Sequence, residues 1–369
     1  MWELQAPVEY KETNKKFFRT IYKQGDIQTG VRSLSITVEE LEAAGLDEQL
    51  EAVETAVETH IEGTYSNVAV VSEPFAGREV FLDYAEEEFG AAAGRITFEE
   101  VVTGELPEFP VAEIVLVDNC HYLYTRQIGG FDVLETFLDR IVNRDALYVT
   151  SWNRYAWTYL SAVTDVQAAF PEQIQIPRLD ANQVANLLTT HHGTPLPMFV
   201  EDEDSGRMRS VDVEWSEFSV GSDRTVSLPY PELHPEYVLS RVRTDAEFDI
   251  EAVVYRRIAQ LSEGDPGVAT ILWDRSIRDG RIAPSYVQEF DKPIDIDHDQ
   301  AFVLEVILTN ERIAYDQLDR VCGEVAVDQA LQALLTQEVI SIDDDDRIQI
   351  DPVRLYSAVE HLAGRQLVW

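Results

Sequence analysis

The sequence predicts an α/β fold built on a parallel sheet. Short runs of β-branched and aliphatic residues recur in the first half of the chain and alternate with segments of helical spacing; these runs cover residues 67–71, 113–118, 146–151 and 174–176. Runs that are apolar throughout are typical of strands buried on both faces, as in parallel sheets. Their alternation with helices indicates βαβ units.

The composition indicates a folded, strongly acidic protein. The 369 residues include 68 acidic and 29 basic side chains, which gives a formal net charge of −39. Acidic excess with few lysines is typical of proteins adapted to high cytoplasmic salt, where self-repulsion is screened, and we interpret the chain as halophile-like. A hydrophobic fraction of 45% favours folded domains over disorder.

Targeting signals are not apparent in the sequence. Cys120 and Cys322 lie far apart and do not indicate a disulfide framework. The start of the chain lacks the basic and apolar segments of a signal peptide. An apolar run of the length needed for a transmembrane helix is not found either. We therefore expect a cytoplasmic protein without a membrane span.

A glycine-containing turn at residues 72–79 separates the first predicted strand from a helical pattern. This is the context of the phosphate-binding loop G-x-x-x-x-G-K-[ST]. The motif falls on the positions Ser72, Gly77, Arg78 and Glu79, and only Gly77 matches. Arg78 keeps the charge of the lysine but not its compact shape. Glu79 replaces the Mg²⁺-binding hydroxyl by a carboxylate, which can bind a cation but repels triphosphate oxygens.

Two further apolar runs end in polar side chains. Residues 113–118 end at Asp118, which Asn119 follows, and the run at 146–151 leads to Asn153. Because strand carboxyl ends meet at one edge of a parallel sheet, these three residues join the candidate nucleotide-binding site. An amide at position 119 can position water but cannot take its proton, so we predict no catalytic residue.

Two interpretations of Asp118 stay open at the level of sequence. Its carboxylate can hold a cation or hydrogen-bond the altered loop. It can instead pair with Arg78, because a buried Asp needs a partner and a guanidinium binds a carboxylate bidentately. In that second interpretation, the arginine fills the empty phosphate site from within.

Four regions are predicted along the chain. Residues 1–35 form an N-terminal arm, residues 36–178 the α/β domain, and residues 179–290 a helical lid with an inserted hairpin region at 193–247. Residues 291–369 carry three helical patterns followed by a hairpin pattern and a closing helix, which is the order of a winged-helix domain.

In this order the motifs resemble the AAA+/STAND class of P-loop ATPases, including archaeal members built like the origin-recognition ATPases. The resemblance rests on the turn at 72–79, the strand that ends at Asp118, the sensor strand up to Asn153, the lid helix and the terminal winged helix. It covers residues 35 to 369. The resemblance implies a P-loop NTPase-like core, ATP binding coupled to conformational change, and a winged helix that touches DNA or a protein partner.

The chain departs from that family at Arg78, Glu79 and Asn119, which replace the lysine, the hydroxyl and the catalytic glutamate. We therefore expect a pseudo-ATPase that acts as a regulatory or scaffold protein through protein–protein contacts, with no cofactor. Two alternatives stay open. One is a nucleotide-dependent switch that binds ATP and Mg²⁺ with weak ATPase activity; the other is a winged-helix DNA-binding regulator.

The predicted recognition helix at 327–337 favours a protein partner or self-association over DNA. It carries Gln329, Gln332 and Gln337 but no basic residue, and the turn at 343–346 consists of aspartates. Such a surface opposes contacts with phosphate. A metal site is not expected, because adjacent residues such as Cys120 and His121 point apart on a strand end.

Overall fold

The computed structural model describes residues 36–61, 66–143, 145–201, 249–289, 292–323, 325–343 and 345–368, together with the backbone of two strands at 211–219 and 225–233. Contacts divide the chain into two compact units, residues 1–34 and 35–369. The predicted N-terminal arm at 1–35 lies outside the described residues. So do residues 202–210 of the predicted hairpin region, a segment that begins with acidic side chains.

A five-stranded parallel sheet forms the centre of the second unit, with strand order β2-β3-β4-β1-β5. The strands are β1 Val68–Ser72, β2 Ala93–Thr97, β3 Ile114–Asp118, β4 Leu147–Asn153 and β5 Glu172–Gln175. β1, β3 and β4 are buried throughout, as their continuous apolar sequences predicted. The predicted P-loop NTPase-like α/β fold is confirmed.

The two edge strands differ from the expectation. β5 begins two residues before the predicted run at 174–176, and only Ile174 of the strand is buried. β2 was not predicted, because Ala93, Gly94, Arg95 and Thr97 give it no continuous apolar pattern and its residues are half-buried or exposed. Edge strands bury less side-chain surface than central ones, so periodicity marks them weakly.

The helices of this part of the chain are, in order, α1 Val38–Ala43, α2 Asp47–Ile61, α3 Arg78–Phe89, α4 Asp132–Val142 and α5 Arg154–Val163. Of these, α2, α3 and α5 pack against strands of the sheet. α3 buries Val80, Phe81, Leu82 and Ala85, so its apolar face lies in the core. This packing fixes the N-terminus of α3, and with it Arg78, at the carboxyl end of β1.

A second group of helices follows the sheet, in the region where the lid was predicted. These are α6 Ala181–His192, α7 Ile250–Leu261 and α8 Pro266–Ser276. Between α6 and α7 lie β6 Met198–Phe199 and an antiparallel hairpin of β7 Val211–Ser219 and β8 Thr225–Leu233. β6 pairs with β9 Arg281–Ile282, which follows α8. Gly267 in α8 has no space for a side chain, because a Cβ there would lie 2.2 Å from the carbonyl oxygen of Phe75. This close approach joins α8 to the turn at 72–77.

The C-terminal part contains helices and a three-stranded antiparallel sheet of order β10-β12-β11. The elements are α9 His298–Asn310, β10 Arg312–Ala314, α10 Tyr315–Cys322, α11 Val327–Thr336, β11 Ile340–Ile342, β12 Arg347–Ile350 and α12 Leu355–Gly364. The three helices and the hairpin that the sequence indicates for residues 291–369 are present among these elements, within a few residues of the sequence patterns. The domain boundaries at 178 and 290 stay predictions.

None of the helices in the described ranges is long and apolar enough to cross a membrane.

Glu40 and His191 connect α1 to the end of α6. Glu40 closes a capping box with Thr37 at the start of α1, and its Oε1 lies 2.8 Å from Nδ1 of His191. Nε2 of His191 lies 3.6 Å from Asp274 of α8. Hydrogen bonding to Asp274 and Glu40 raises the pKa of His191 to about 9, although burial opposes the rise. The imidazolium therefore links three helices at neutral pH.

We expect Glu40→Gln and His191→Gln to lower the free energy of unfolding by about 2 kcal/mol at pH 6, because each removes a charge-assisted hydrogen bond. A raised histidine pKa stabilises the fold fully below the unfolded pKa of 6.5, and the contribution is lost as pH rises through about 9. Urea unfolding from pH 6 to 10 should therefore show the deficit shrinking with pH. Glu39→Gln, on the exposed face of α1, is the control and should show neither effect.

Glu305 of α9 is an acid buried where the C-terminal part meets the α/β domain. Its side chain is 0% exposed, and Nη2 of Arg126 lies 2.7 Å from its Oε1. Burial raises the pKa of Glu305 to about 7, although the charge of Arg126 opposes the rise. The carboxyl group is therefore protonated in the folded protein over a pH range in which it is ionised in the unfolded chain.

We expect the free energy of unfolding of the wild type to fall relative to that of Glu305→Gln as pH rises from 4.5 to about 7. In this range the folded state binds a proton at Glu305 that the unfolded chain has released, so a rise in pH favours the unfolded chain. A pKa difference of this size corresponds to about 3 kcal/mol. Unfolding free energies at pH 5 and pH 8 check it, with Glu360→Gln on exposed α12 surface as the control. Equal pH dependence of the wild type and Glu305→Gln would contradict the prediction.

Candidate functional site

The predicted site residues lie at one edge of the sheet, where β1, β3 and β4 end. Ser72 ends β1, Gly77 caps α3 and Arg78 and Glu79 begin it, Asp118 ends β3 with Asn119 after it, and Asn153 ends β4. Parallel strands meet at their carboxyl ends, which is why segments far apart in sequence converge here. Ser72 takes no part in the side-chain cluster, because its hydroxyl donates to the carbonyl oxygen of Glu73 at 2.8 Å.

The turn between β1 and α3 has an irregular backbone. Phe75 adopts φ 69° and Gly77 φ 79°. Positive φ favours glycine, so Gly77 suits its place before α3, whereas Phe75 is held there by its surroundings. The carbonyl oxygen of Phe75 is the group that Gly267 of α8 approaches. The turn is therefore packed against the protein itself on its lid side.

Arg78 forms a bidentate ion pair with Glu311, the residue that follows α9. Its Nη1 donates to Oε1 at 2.7 Å and its Nη2 to Oε2 at 2.8 Å. Nη2 also donates to Oδ1 of Asn119 at 2.9 Å. Arg78 is only 5% exposed. Of the two interpretations of Asp118, its bidentate pairing with Arg78 is therefore wrong, because the carboxylate partner of Arg78 comes from the C-terminal part of the chain.

Glu311 is held from a second side by Asn153. Nδ2 of Asn153 donates to Oε1 of Glu311 at 2.8 Å and to the carbonyl oxygen of Leu308 at 3.0 Å. Burial alone would raise the pKa of Glu311, but the charge of Arg78 and these hydrogen bonds lower it below its usual value. The carboxylate is thus ionised and receives three hydrogen bonds from Arg78 and Asn153.

Asp118 has its own set of donors. Its Oδ1 accepts from Oγ of Ser151 at 2.5 Å and from the backbone of Asn119 at 2.9 Å. Its Oδ2 accepts from Nη2 of Arg95 at 3.0 Å. Burial would raise the pKa of Asp118, but Ser151 and the charges of Arg78 and Arg95 lower it. Both oxygens are therefore engaged by protein groups, which supports a structural role for this carboxylate.

Glu79 and His121 lie close to this cluster and have altered pKa values. Burial raises the pKa of Glu79, although the charge of Arg78 opposes the rise. Burial also lowers the pKa of His121 to about 4, so its imidazole is neutral at neutral pH. Among the residues that the structure describes, no three His, Cys, Asp or Glu side chains gather into a possible metal site.

A second carboxylate, Glu73, ties the turn to the lid and to α12. Its Oε1 accepts from Nη1 of Arg154 and from Nη2 of Arg178, both at 3.0 Å. Its Oε2 accepts from the hydroxyl of Tyr356 at 2.6 Å. Burial and the nearby carboxylates of Asp265 and Glu73 raise the pKa of Tyr356, so it stays a donor. Glu73 is 4% exposed, and its charge is offset by the two arginines.

Sequence reasoning did not identify Glu311, Tyr356 or Glu73 as site residues. Glu311 is separated from Arg78 by 233 positions and Tyr356 from Glu73 by 283. Neither lies in a motif, so no local pattern marks them. Glu73 did carry a signal, because a carboxylate inside a presumed phosphate-binding loop needs nearby cations when it is buried.

No protein-family model matches the sequence, and no curated protein matches it. Solved structures are similar to it at low identity. RuvB of Thermotoga maritima, as a mutant, is 13% identical with a TM-score of 0.36 over 86% of this chain and 94% of that one. The Walker-type ATPase of Pyrococcus abyssi is 12% identical with a TM-score of 0.38 over 85% and 95%. Cdc6p of Pyrobaculum aerophilum is 12% identical with a TM-score of 0.36 over 87% and 94%.

The five-stranded parallel sheet and the turn that leads from β1 into α3 form a P-loop NTPase-like α/β fold. Within that fold, the site at the strand ends is distinguished by a carboxylate of the same chain on Arg78.

We expect Arg78→Met to lower the free energy of unfolding by about 3–5 kcal/mol, because it leaves the carboxylate of Glu311 buried without its cation. Glu311→Gln should destabilise for the converse reason. The double variant should lose less than the sum of the two, and denaturant unfolding of all four proteins measures this coupling. Arg154→Met is the matched control. Its side chain is 52% exposed, and its loss should stay below about 1 kcal/mol. Additive losses at 78 and 311 would contradict the assigned pair.

Proposed function

We propose that the chain is a catalytically degenerate AAA+/STAND-like pseudo-ATPase that acts as a regulatory or scaffold protein through protein–protein contacts. The observation that carries the proposal is the carboxylate of Glu311 on Arg78. Arg78 stands where the resemblance places the phosphate-binding lysine, and its two terminal nitrogens donate two bonds to Glu311 and one to Asn119. A nucleotide phosphate would have to displace a buried, bidentate ion pair.

The other groups of the site support the loss of hydrolysis. Asp118 accepts hydrogen bonds from Ser151, Arg95 and a backbone amide, so a metal ion would have to compete with the charge of Arg95 for this carboxylate. Asn119 uses its Oδ1 to accept from Arg78 and its Nδ2 to donate to the carbonyl oxygen of Phe98 at 3.2 Å. An amide held in this way cannot serve as the general base that activates water.

The element order of the C-terminal part supports a winged-helix domain. Helices α9 to α11 precede the hairpin of β11 and β12, and β10 completes the small sheet. The exposed positions of α11 include Gln329, Gln332 and Thr336, which recur at helical spacing and are uncharged. This face supports a polar protein surface as its partner rather than a phosphate backbone.

The arginines near the predicted wing are already paired, which also disfavours DNA. Nη2 of Arg312 lies 2.6 Å from Asp343 and 2.9 Å from Asp345. Nη2 of Arg347 lies 3.8 Å from Glu99 of the α/β domain. DNA binding would require phosphates to compete with these carboxylates on a chain of net charge −39. A DNA-binding regulator is therefore the weaker alternative.

We expect calorimetric titration of ATP and ADP, with and without Mg²⁺ in molar KCl, to show no saturable binding to the wild type at millimolar nucleotide. The reason is that binding must first break the Arg78–Glu311 pair. The triple variant Arg78→Lys, Glu79→Thr, Glu311→Ala is the positive control, because it restores the lysine and the hydroxyl and removes the competing carboxylate.

Saturable binding to the wild type would overturn the pseudo-ATPase proposal and favour the nucleotide-dependent switch, and turnover would then be measured. Filter binding to duplex DNA across salt tests the other alternative. Affinity that falls steeply with salt would indicate phosphate contacts and a DNA-binding regulator.

A further inference from the structure

We propose that Arg78 and Asn153 form a carboxylate-binding site, oriented by Asn119, in which Glu311 is the built-in ligand that docks the C-terminal part onto the sheet. The same site will accept a free small carboxylate when the side chain of Glu311 is removed. This inference rests on the proposed function, because it gives the degenerate site a ligand other than nucleotide.

The donors of this site are positioned by contacts that do not involve Glu311. Asn153 caps α5, where its Oδ1 accepts from the backbone of Tyr155 at 2.8 Å and of Ala156 at 3.2 Å. That leaves its Nδ2 directed at the carboxylate. Asn119 is fixed by its own hydrogen bonds to Phe98 and Ser151 and holds Nη2 of Arg78. The site is therefore preorganised, and little ordering remains to be done when a carboxylate enters.

The buried charge of Arg78 gives the site its demand for an anion. The arginine is 5% exposed, and the side chain of Glu311 is 16% exposed. Asp118, the nearest carboxylate on the sheet, is already bound by Arg95 and Ser151. Removal of the Glu311 carboxylate thus leaves a desolvated guanidinium without its ion-pair partner, which is costly in a protein interior.

The charges around Arg78 favour a monoanion over a dianionic phosphate. The fork of a guanidinium matches the two oxygens of one carboxylate, and both parallel hydrogen bonds are present here. The carboxylates of Glu79 and Asp118 also act on Arg78. A dianionic phosphate would be repelled by both, whereas a monocarboxylate restores the charge that the site already holds.

The backbone of Glu311 indicates that this contact is what holds the residue in place. Glu311 has φ 60° and ψ −59°, close to the strained γ-turn of positive φ. Non-glycine residues persist in such a conformation only where surrounding contacts impose it. The bonds from Arg78 and Asn153 are contacts of that kind, since they bind the side chain of the strained residue itself.

The test is rescue of Glu311→Ala by acetate, whose methyl and carboxylate groups replace the two carbon positions that this substitution removes. We expect the variant to be less stable than the wild type, and acetate to restore stability saturably in urea unfolding at constant ionic strength. At ten times its dissociation constant, acetate should raise the ratio of folded to unfolded protein about tenfold. Phosphate should give a smaller gain.

Glu338→Ala is the matched control. Glu338 is an exposed glutamate of the same part of the chain, it also has a positive φ of 56°, and its carboxylate lies 3.3 Å from Lys292. It should gain no more from acetate than the wild type does. The double variant Arg78→Met, Glu311→Ala should lose the acetate effect, because the fork is gone.

An acetate response of Glu311→Ala equal to that of Glu338→Ala would overturn the proposal, and a larger gain from phosphate would overturn the assignment of the ligand as a carboxylate. If Glu311→Ala does not fold, Glu311→Gly relieves the backbone and leaves room for propionate; absence of propionate rescue in that variant overturns the proposal as well. None of these outcomes depends on whether the wild type binds ATP, so this inference and the proposed function can fail separately.

Discussion

A single buried ion pair, between Arg78 and Glu311, connects the fold of this protein to its chemistry. Arg78 begins α3 at the carboxyl end of β1, and Glu311 follows α9 in the C-terminal part. Each charge would be costly to bury alone, so burial of Arg78 requires Glu311 beside it and burial of Glu311 requires Arg78. The same ion pair therefore positions the C-terminal helices and occupies the site at the strand ends.

The second junction follows the same physical rule. Glu73 lies in the turn between β1 and α3, and its charge is offset by Arg154 and Arg178, while Tyr356 of the C-terminal part donates to it. Two carboxylates, Glu73 and Glu311, are therefore held at this end of the sheet by arginines of the same chain. The chain has a large excess of acids, and its own side chains fill the anionic positions near the sheet.

The stability of these contacts depends on their burial. Surface ion pairs are screened in concentrated salt, whereas pairs inside the protein are screened much less. Arg78 and Glu311 are largely withdrawn from solvent, while pairs such as Arg320 with Asp316 are exposed. The internal pairs are therefore those that keep their strength when the salt concentration rises.

The sequence by itself determined the central strands, because β1 and β3 are nearly continuous apolar runs and β4 begins with one, and such runs are buried in a parallel sheet. It also determined that Arg78, Asp118, Asn119 and Asn153 gather at the strand ends, since parallel strands meet there. Only the tertiary structure decided which carboxylate Arg78 binds. Asp118 and Glu311 carry the same charge. The local sequence around Arg78 does not indicate whether its partner is a neighbour on β3 or a residue 233 positions away. The choice follows from the packing of α9 against α5 and residues 120–123, which places Glu311 opposite the guanidinium, while Arg95 of the unpredicted edge strand β2 satisfies Asp118.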